Sequence, residues 1–154
     1  ECILSGAYMG SGNQHMDNTI RVEHRSPRTR SRQVYKGALD GKARGVFQGT
    51  IVVERDAQMT DAHQLHRAIL LSDGAEVDAK PELRIYADDV QCGHGATSGR
   101  LDPEHVFYLA SRGIPEAAAR ALLVEAFLAE AIADVAHDGL RGRLEEMVRE
   151  WMAR

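Results

Sequence analysis

The chain has 154 residues, of which 44% are hydrophobic and 27% charged, with a formal net charge of −4. That is enough apolar material for one ordinary core, and a mildly acidic balance gives no electrostatic reason to expect nucleic acid or an anionic membrane as partner. The two cysteines, Cys2 and Cys92, show no paired spacing, which fits a reducing compartment, and cytoplasm is the expectation.

No stretch reads as a leader of basic, apolar and small residues in turn. The most apolar region, Ile114 to Ala136, carries Glu116, Arg120, Glu125, Glu130 and Asp134, which breaks any run of the ~18 residues that a membrane span needs. The chain opens on Cys2-Ile3-Leu4, which reads as the interior of a strand, so a fragment of a longer protein is expected.

The chain divides near Leu101 into a strand-rich part and a helical part, expected as residues 1–101 and 102–154. In the first, Thr19 to His24 alternates polar and apolar residues, Ser31 to Leu39 does so more weakly, and Gly45 to Glu54 contains the β-branched Thr50-Ile51-Val52-Val53. Glu82 to Tyr86 alternates cleanly. Between the first two lies a basic cluster, Arg21, Arg25, Arg28, Arg30 and Arg32, read as a solvated loop around Ser26-Pro27. Turns are marked by Asp40-Gly41, Arg55-Asp56, Ser72-Asp73-Gly74 and Asp88-Asp89. The segments after these turns resemble one another and recur roughly every 14 to 18 residues, which suits a β-solenoid whose coils stack on their neighbours. A sandwich or jelly roll shares that strand spacing, so periodicity alone leaves both open. The first coil of a solenoid fragment would expose an unpaired edge and favour self-association.

In the second part, Asp102-Pro103-Glu104 is a helix start, with Asp as N-cap and Pro at the first helical position, and Gly113 is a stop. Pro115-Glu116 opens a long helix expected to run to about His137 and to end at Asp138-Gly139. Its charges at 116, 120, 125, 130 and 134 form a narrow stripe, with Leu122, Leu123, Val124, Phe127, Leu128, Ile132 and Val135 over much of the rest. So wide an apolar surface must pack on more than one neighbour, either wholly within the chain or partly against a partner protein. A last amphipathic helix carries Leu140, Leu144, Met147, Val148, Trp151 and Met152.

Candidate chemistry is sparse. Cys92 and His94, in Cys92-Gly93-His94-Gly95-Ala96-Thr97, point to one face if they lie on a strand, and both residue types ligate iron or zinc. Two ligands do not close a tetrahedral site, and spacing alone favours a buried structural cysteine beside a hydrogen-bonded histidine. His63 and His66 would align only on a helix, whereas the region reads as strand and loop. No nucleophile elbow, phosphate loop or groove of catalytic carboxylates is present in the sequence, so the chain does not read as an enzyme.

Several strings resemble the SufB/SufD family, the paired β-helix subunits of a sulfur-mobilisation system. They include Gln14-His15-Met16-Asp17-Asn18, Ser31 to Gly37, Gly45 to Gly49 and Leu70-Leu71-Ser72-Asp73. Lys80 to Leu83, Tyr86 to Val90, Gly93 to Thr97 and Phe107 to Ile114 follow in the family's order. The Cys92-Gly93-His94-Gly95-Ala96-Thr97 string resembles the SufD form, SufB-like chains tending to His-Glu-Ala-Thr there. The resemblance implies a mainly β fold: a right-handed parallel β-helix followed by a C-terminal α-helical region. It implies pairing with a SufB-like paralogue through the β-helices and docking of a SufC-like ATPase through the helices, where Phe107, Tyr108, Arg112, Ile114, Leu122, Leu123 and Phe127 are the matching positions. His94, with Cys92 beside it, would lie at the paired interface and help hold or guide a transient iron–sulfur cluster. Sulfur would come from a SufE-like donor, with no cofactor held stably by this chain alone. The tail after about Ala133 is less family-like.

Overall fold

The computed structural model describes residues 1–153. Seven strands come first: β1 (Cys2–Gly10), β2 (His15–His24), β3 (Arg30–Leu39), β4 (Arg44–Val53), β5 (Thr60–Leu70), β6 (Glu76–Ile85) and β7 (Val90–Gly99). Three helices follow, α1 (Pro103–Ala110), α2 (Glu116–Ile132) and α3 (Asp138–Met152).

Odd-numbered strands form one sheet in the order β1-β3-β5-β7 and even-numbered strands a second, β2-β4-β6. Every strand pair is parallel and in register, so that Cys2, Ser31, Ala62 and Cys92 stack in one column along the first sheet. Parallel pairing between strands of successive coils makes this a β-solenoid and excludes the antiparallel sandwich and jelly roll that the spacing left open. The turns fall where the Asp, Gly and Ser signals put them, and they stack as the strands do. Gly12 and Gly41 both take left-handed φ values, 61° and 68°, at the same corner. A Cβ on Gly41 would stand 3.1 Å from the Gly12 nitrogen, so the corners nest only without side chains.

The interior of the solenoid is more polar and aromatic than the alternation pattern implies. The Phe47 ring is fully buried and stacks on His66 with centroids 4.5 Å apart, while Tyr35 tilts against it at 5.3 Å. Tyr8 Oη lies 2.8 Å from His66 Nε2, and buried Gln64 donates from Nε2 to Gln33 Oε1 at 2.8 Å. Space for these large groups comes from glycine, on the neighbouring strand of the same sheet for Tyr8 and on the facing sheet for Gln64. A Cβ on Gly37 would fall 2.3 Å from the Tyr8 ring, and one on Gly49 would fall 2.2 Å from Gln64. At the opposite corner buried His24 uses both ring nitrogens, with Thr29 Oγ1 at 2.7 Å and Ser31 Oγ at 2.8 Å.

The basic cluster divides on folding. Arg25 and Arg28 sit in or beside the exposed turn, whereas Arg21 lies on β2 and Arg30 and Arg32 on β3. Arg21 and Arg25 both donate to Glu23.

Helix α1 begins as its sequence dictates: Asp102 accepts a hydrogen bond from the Glu104 amide at 2.8 Å, and Gly113 follows the helix at φ 84°. Helix α2 packs on the outer face of β1 and β3, where Val124, Leu128 and Ile132 meet Ala7, Met9 and Ala38. Helix α3 folds back on α2, with Val148 buried and Arg149 paired with Glu125 at 2.8 Å.

Two helical expectations need correction. The long helix ends at Ile132 rather than near His137, and Asp138-Gly139 opens α3 instead of closing α2. His137 is the N-cap, its Nδ1 accepting from the Leu140 amide at 3.2 Å, and Asp138 places an acid in the first turn. The chain reverses here because α3 can bury Val148 and Trp151 only by lying against α2. Three charges of the α2 stripe are tied on folding: Glu130 pairs with Lys36, Arg120 reaches the Leu71 carbonyl and Glu125 takes Arg149, while Glu116 and Asp134 are exposed.

Candidate functional site

Strand β7 ends the first sheet, pairing only with β5, and the second sheet stops at β6. The last coil is therefore a half-coil: among the described residues β7 has a free edge and no strand of the second sheet opposite it. Cys92, His94 and Ala96 stand beside Ala62, Gln64 and His66, three buried residues of β5. In a complete coil all three would face the interior. Cys92 is half-buried against the cluster of Ile51, Val53, Ala57, Ala62 and Ala87, but His94 is exposed because nothing covers the end of the column.

The expectation of a buried cysteine beside a hydrogen-bonded histidine therefore needs amending. Cys92 is partly covered, while the His94 side chain has no hydrogen-bond partner among the described residues. Burial pushes the Cys92 thiol up from its ordinary value, and the Asp61 carboxylate adds to the effect against a hydrogen bond from the Ala62 backbone. The thiol is thus protonated and a weak ligand until something changes around it.

Gly93 and Gly95 flank His94 and leave the middle of the outer face of the last strand, between Gln91 and Thr97, without side chains. A Cβ at 93 would lie 3.2 Å from His63 Nδ1, and one at 95 would lie 3.3 Å from Leu65. The result is a depression of about 420 Å³ lined by Arg32, His63, Leu65, Gly93, His94 and Gly95, among others. His63 faces out into it, half-exposed, with Nε2 3.1 Å from Asp61 Oδ1. His66, three residues on, faces inward: the strand separates the two imidazoles as the sequence reading expected. Among the described residues no group of three or more His, Cys, Asp and Glu side chains comes together to hold a metal. The chain offers Cys92 and His94 on one face, roughly 7 Å apart along the strand, and further ligands would have to come from elsewhere.

At the other end of the chain, the positions matched to ATPase docking separate into two kinds. Phe107, Tyr108 and Leu122 are exposed, Phe107 most of all at 73%, and the Arg112 guanidinium stacks on Tyr108 at 3.7 Å. Ile114, Leu123 and Phe127 are half-buried, and Phe127 carries the Lys36 ammonium over its ring at 4.4 Å. An apolar groove between α2 and α3, about 360 Å³, is lined by Leu122, Ala126, Ala129, Ile132 and Val148, with Glu125 and Glu145 at its sides.

Two features escaped the sequence reading. Lys36 looks like a surface residue in an alternating strand, yet its side chain is 1% exposed, and His66 was weighed only as a ligand. The signal for Lys36 was its place among small residues, Gly37-Ala38, which let a helix approach.

The architecture is thus a parallel β-solenoid with an open, glycine-flanked end coil and an attached helical layer. Residues 1–127 match the family model described as SUF system FeS cluster assembly, SufBD core domain. The chain belongs to that SufBD family. It is 43% identical to the iron-sulfur cluster assembly protein SufD of Escherichia coli over 84% of this chain and 30% of that protein. A SufBD family protein of Mycobacterium tuberculosis is 40% identical over 92% of this chain and 38% of its own length. The SufD protein of Bacillus subtilis is 33% identical over 91% of this chain and 32% of its length. The chain thus spans less than two fifths of the relatives it matches. No helix among the described residues is long and apolar enough to cross a membrane.

Proposed function

We propose that this chain is part of a SufD-like scaffold subunit that supports iron–sulfur cluster assembly without being an enzyme itself. The observation that carries the reading is the last coil. His94 is exposed on a free edge strand, glycines on either side admit a close partner, and a half-buried thiol stands on the same face. A SufB-like paralogue would pair with this end and supply the remaining ligands, so that the cluster is a transient cargo held jointly across the interface. A neutral imidazole at 94 would ligate iron or accept a proton there. The segment 102–154 would dock a SufC-like ATPase, with Phe107, Tyr108, Arg112 and Leu122 as the accessible anchors and Ile114, Leu123 and Phe127 supporting them from beneath. Nucleotide-driven pairing of two ATPase subunits would then shift the paired solenoids and open the site near His94.

The test is co-purification of the protein with SufB-like and SufC-like subunits, followed by reconstitution with His94→Ala. A stable ternary complex whose cluster yield falls with the substitution supports the reading, and normal yield removes His94 from the chemistry. The raised pKa of Cys92 favours a second reading, in which this subunit is a purely structural adaptor. Unimpaired assembly after changing both Cys92 and His94 would establish that alternative.

A further inference from the structure

The contact between the helical layer and the solenoid contains one charge that water does not reach. Lys36 lies on the outer face of β3 beneath α2, its side chain 1% exposed, and its ammonium is held by the Glu130 carboxylate and the Phe127 ring. Glu130, by contrast, is 65% exposed. The pair is therefore asymmetric. Glu130 deprived of Lys36 simply turns to water, whereas Lys36 deprived of Glu130 is a buried cation with no counter-charge, and it can be hydrated only if α2 lifts.

We propose that Lys36 and Glu130 form a latch holding α2 on the solenoid, and that a partner's basic side chain opens it by taking the accessible Glu130. Among the described residues the only other polar tie from α2 to the strand part is Arg120 to the Leu71 carbonyl at 3.4 Å, too long to hold the helix alone. The remainder is apolar packing of Val124, Leu128 and Ile132. Release would pass movement of the helical layer to β3, whose neighbour β5 pairs with β7 and its His94. The partner half of this inference rests on the ATPase-docking reading; the latch itself does not.

Hydrogen exchange on the full chain separates the two. Glu130→Gln should lower protection in α2 about tenfold or more and leave β4 and β6 unchanged. Lys36→Met, which removes the buried charge and keeps its volume, should change α2 little, and the double substitution should regain the protection lost in Glu130→Gln. Equal effects of the two single changes, unchanged α2 protection in Glu130→Gln, or no recovery in the double variant would overturn the latch. With the ATPase subunit bound, α2 and β3 should exchange faster in the unsubstituted chain but not in the double variant. Binding that leaves α2 exchange unchanged would overturn the release, and failure to bind at all would defeat the docking reading and that partner's release together, while the latch is judged by the variants alone.

Discussion

His66 is an ionisable group placed where ionisation is expensive. Burial pushes its pKa from 6.5 down to about 4, and the Tyr8 phenol that meets it is pushed up to about 12. Both are neutral near pH 7, as a hydrogen-bonded pair stacked on Phe47 should be. The unfolded imidazole takes its proton near pH 6.5, the folded one only near pH 4. Between these values the unfolded chain binds more protons, so the contribution is complete above pH 6.5 and falls as pH drops toward 4, by on the order of 3 kcal/mol. His24, whose pKa burial also lowers, acts in the same direction. Urea midpoints at pH 7.5 and 5 should therefore differ, and His66→Leu should shrink the difference; an unchanged difference would mean that His66 is not its source. Glycines next to these groups can be ranked. Gly37→Ala would drive a Cβ into the buried Tyr8 ring and should cost about 1–3 kcal/mol, whereas Gly93→Ala meets a half-exposed His63 that can swing away and should cost less than about 1 kcal/mol. Chemical denaturation of both variants checks the order.

Among the elements, α1 is the least anchored. It buries only Val106 and exposes Phe107 and Tyr108, so its capping matters more than its packing. Asp102→Ala should remove the bond to the Glu104 amide and cost about 1 kcal/mol, read as faster amide exchange confined to α1. Helix α2 is held by packing as well as by the Lys36–Glu130 pair. Leu128 is fully buried between the solenoid and α3, and Leu128→Ala should cost about 2–5 kcal/mol and loosen α2 and α3 together. Loss confined to α2 would mean that α3 holds to the strands without it. This order follows from where each helix faces: α1 presents its aromatics outward, α2 is a middle layer, and α3 reaches the core through Val148.

For the whole molecule, stability should vary along the solenoid axis. Each coil is supported by its neighbours, so internal strands gain contacts from both sides and end strands from one. Among the described residues strand β7 pairs only with β5 and has no strand of the second sheet opposite it, and its residues beyond Gly95 are exposed. Within the solenoid, amide exchange should be fastest in β7 and slowest in β3, β4 and β5; uniform protection across the strands would point to a single cooperative unit instead. A low-stability end coil bearing His94 suits a surface that rearranges when a partner covers it.

Much of this was written in the chain itself. The turns at 40–41, 55–56, 72–74 and 88–89 were legible because turn chemistry acts over a few residues of backbone, but β2 and β6 begin at His15 and Glu76, earlier than the alternation from Thr19 and Glu82 showed. Asp102-Pro103 and Gly113 marked the ends of α1, and the ordered strings from Gln14 to Ile114 pointed to the SufBD family. Other features exist only once coils stack and helices dock. Parallel pairing chose the solenoid over the sandwich, since strand spacing is common to both. The reversal at 133–137 depended on α3 finding the face of α2, and the fate of Lys36 depended on Glu130, 94 residues away in the chain. The site divides in the same way: sequence put Cys92 and His94 on one face by the two-residue period of a strand, but only the end of the sheet left His94 exposed while covering Cys92. Local chemistry specifies elements, whereas burial and charge pairing are decided by neighbours brought from elsewhere in the chain.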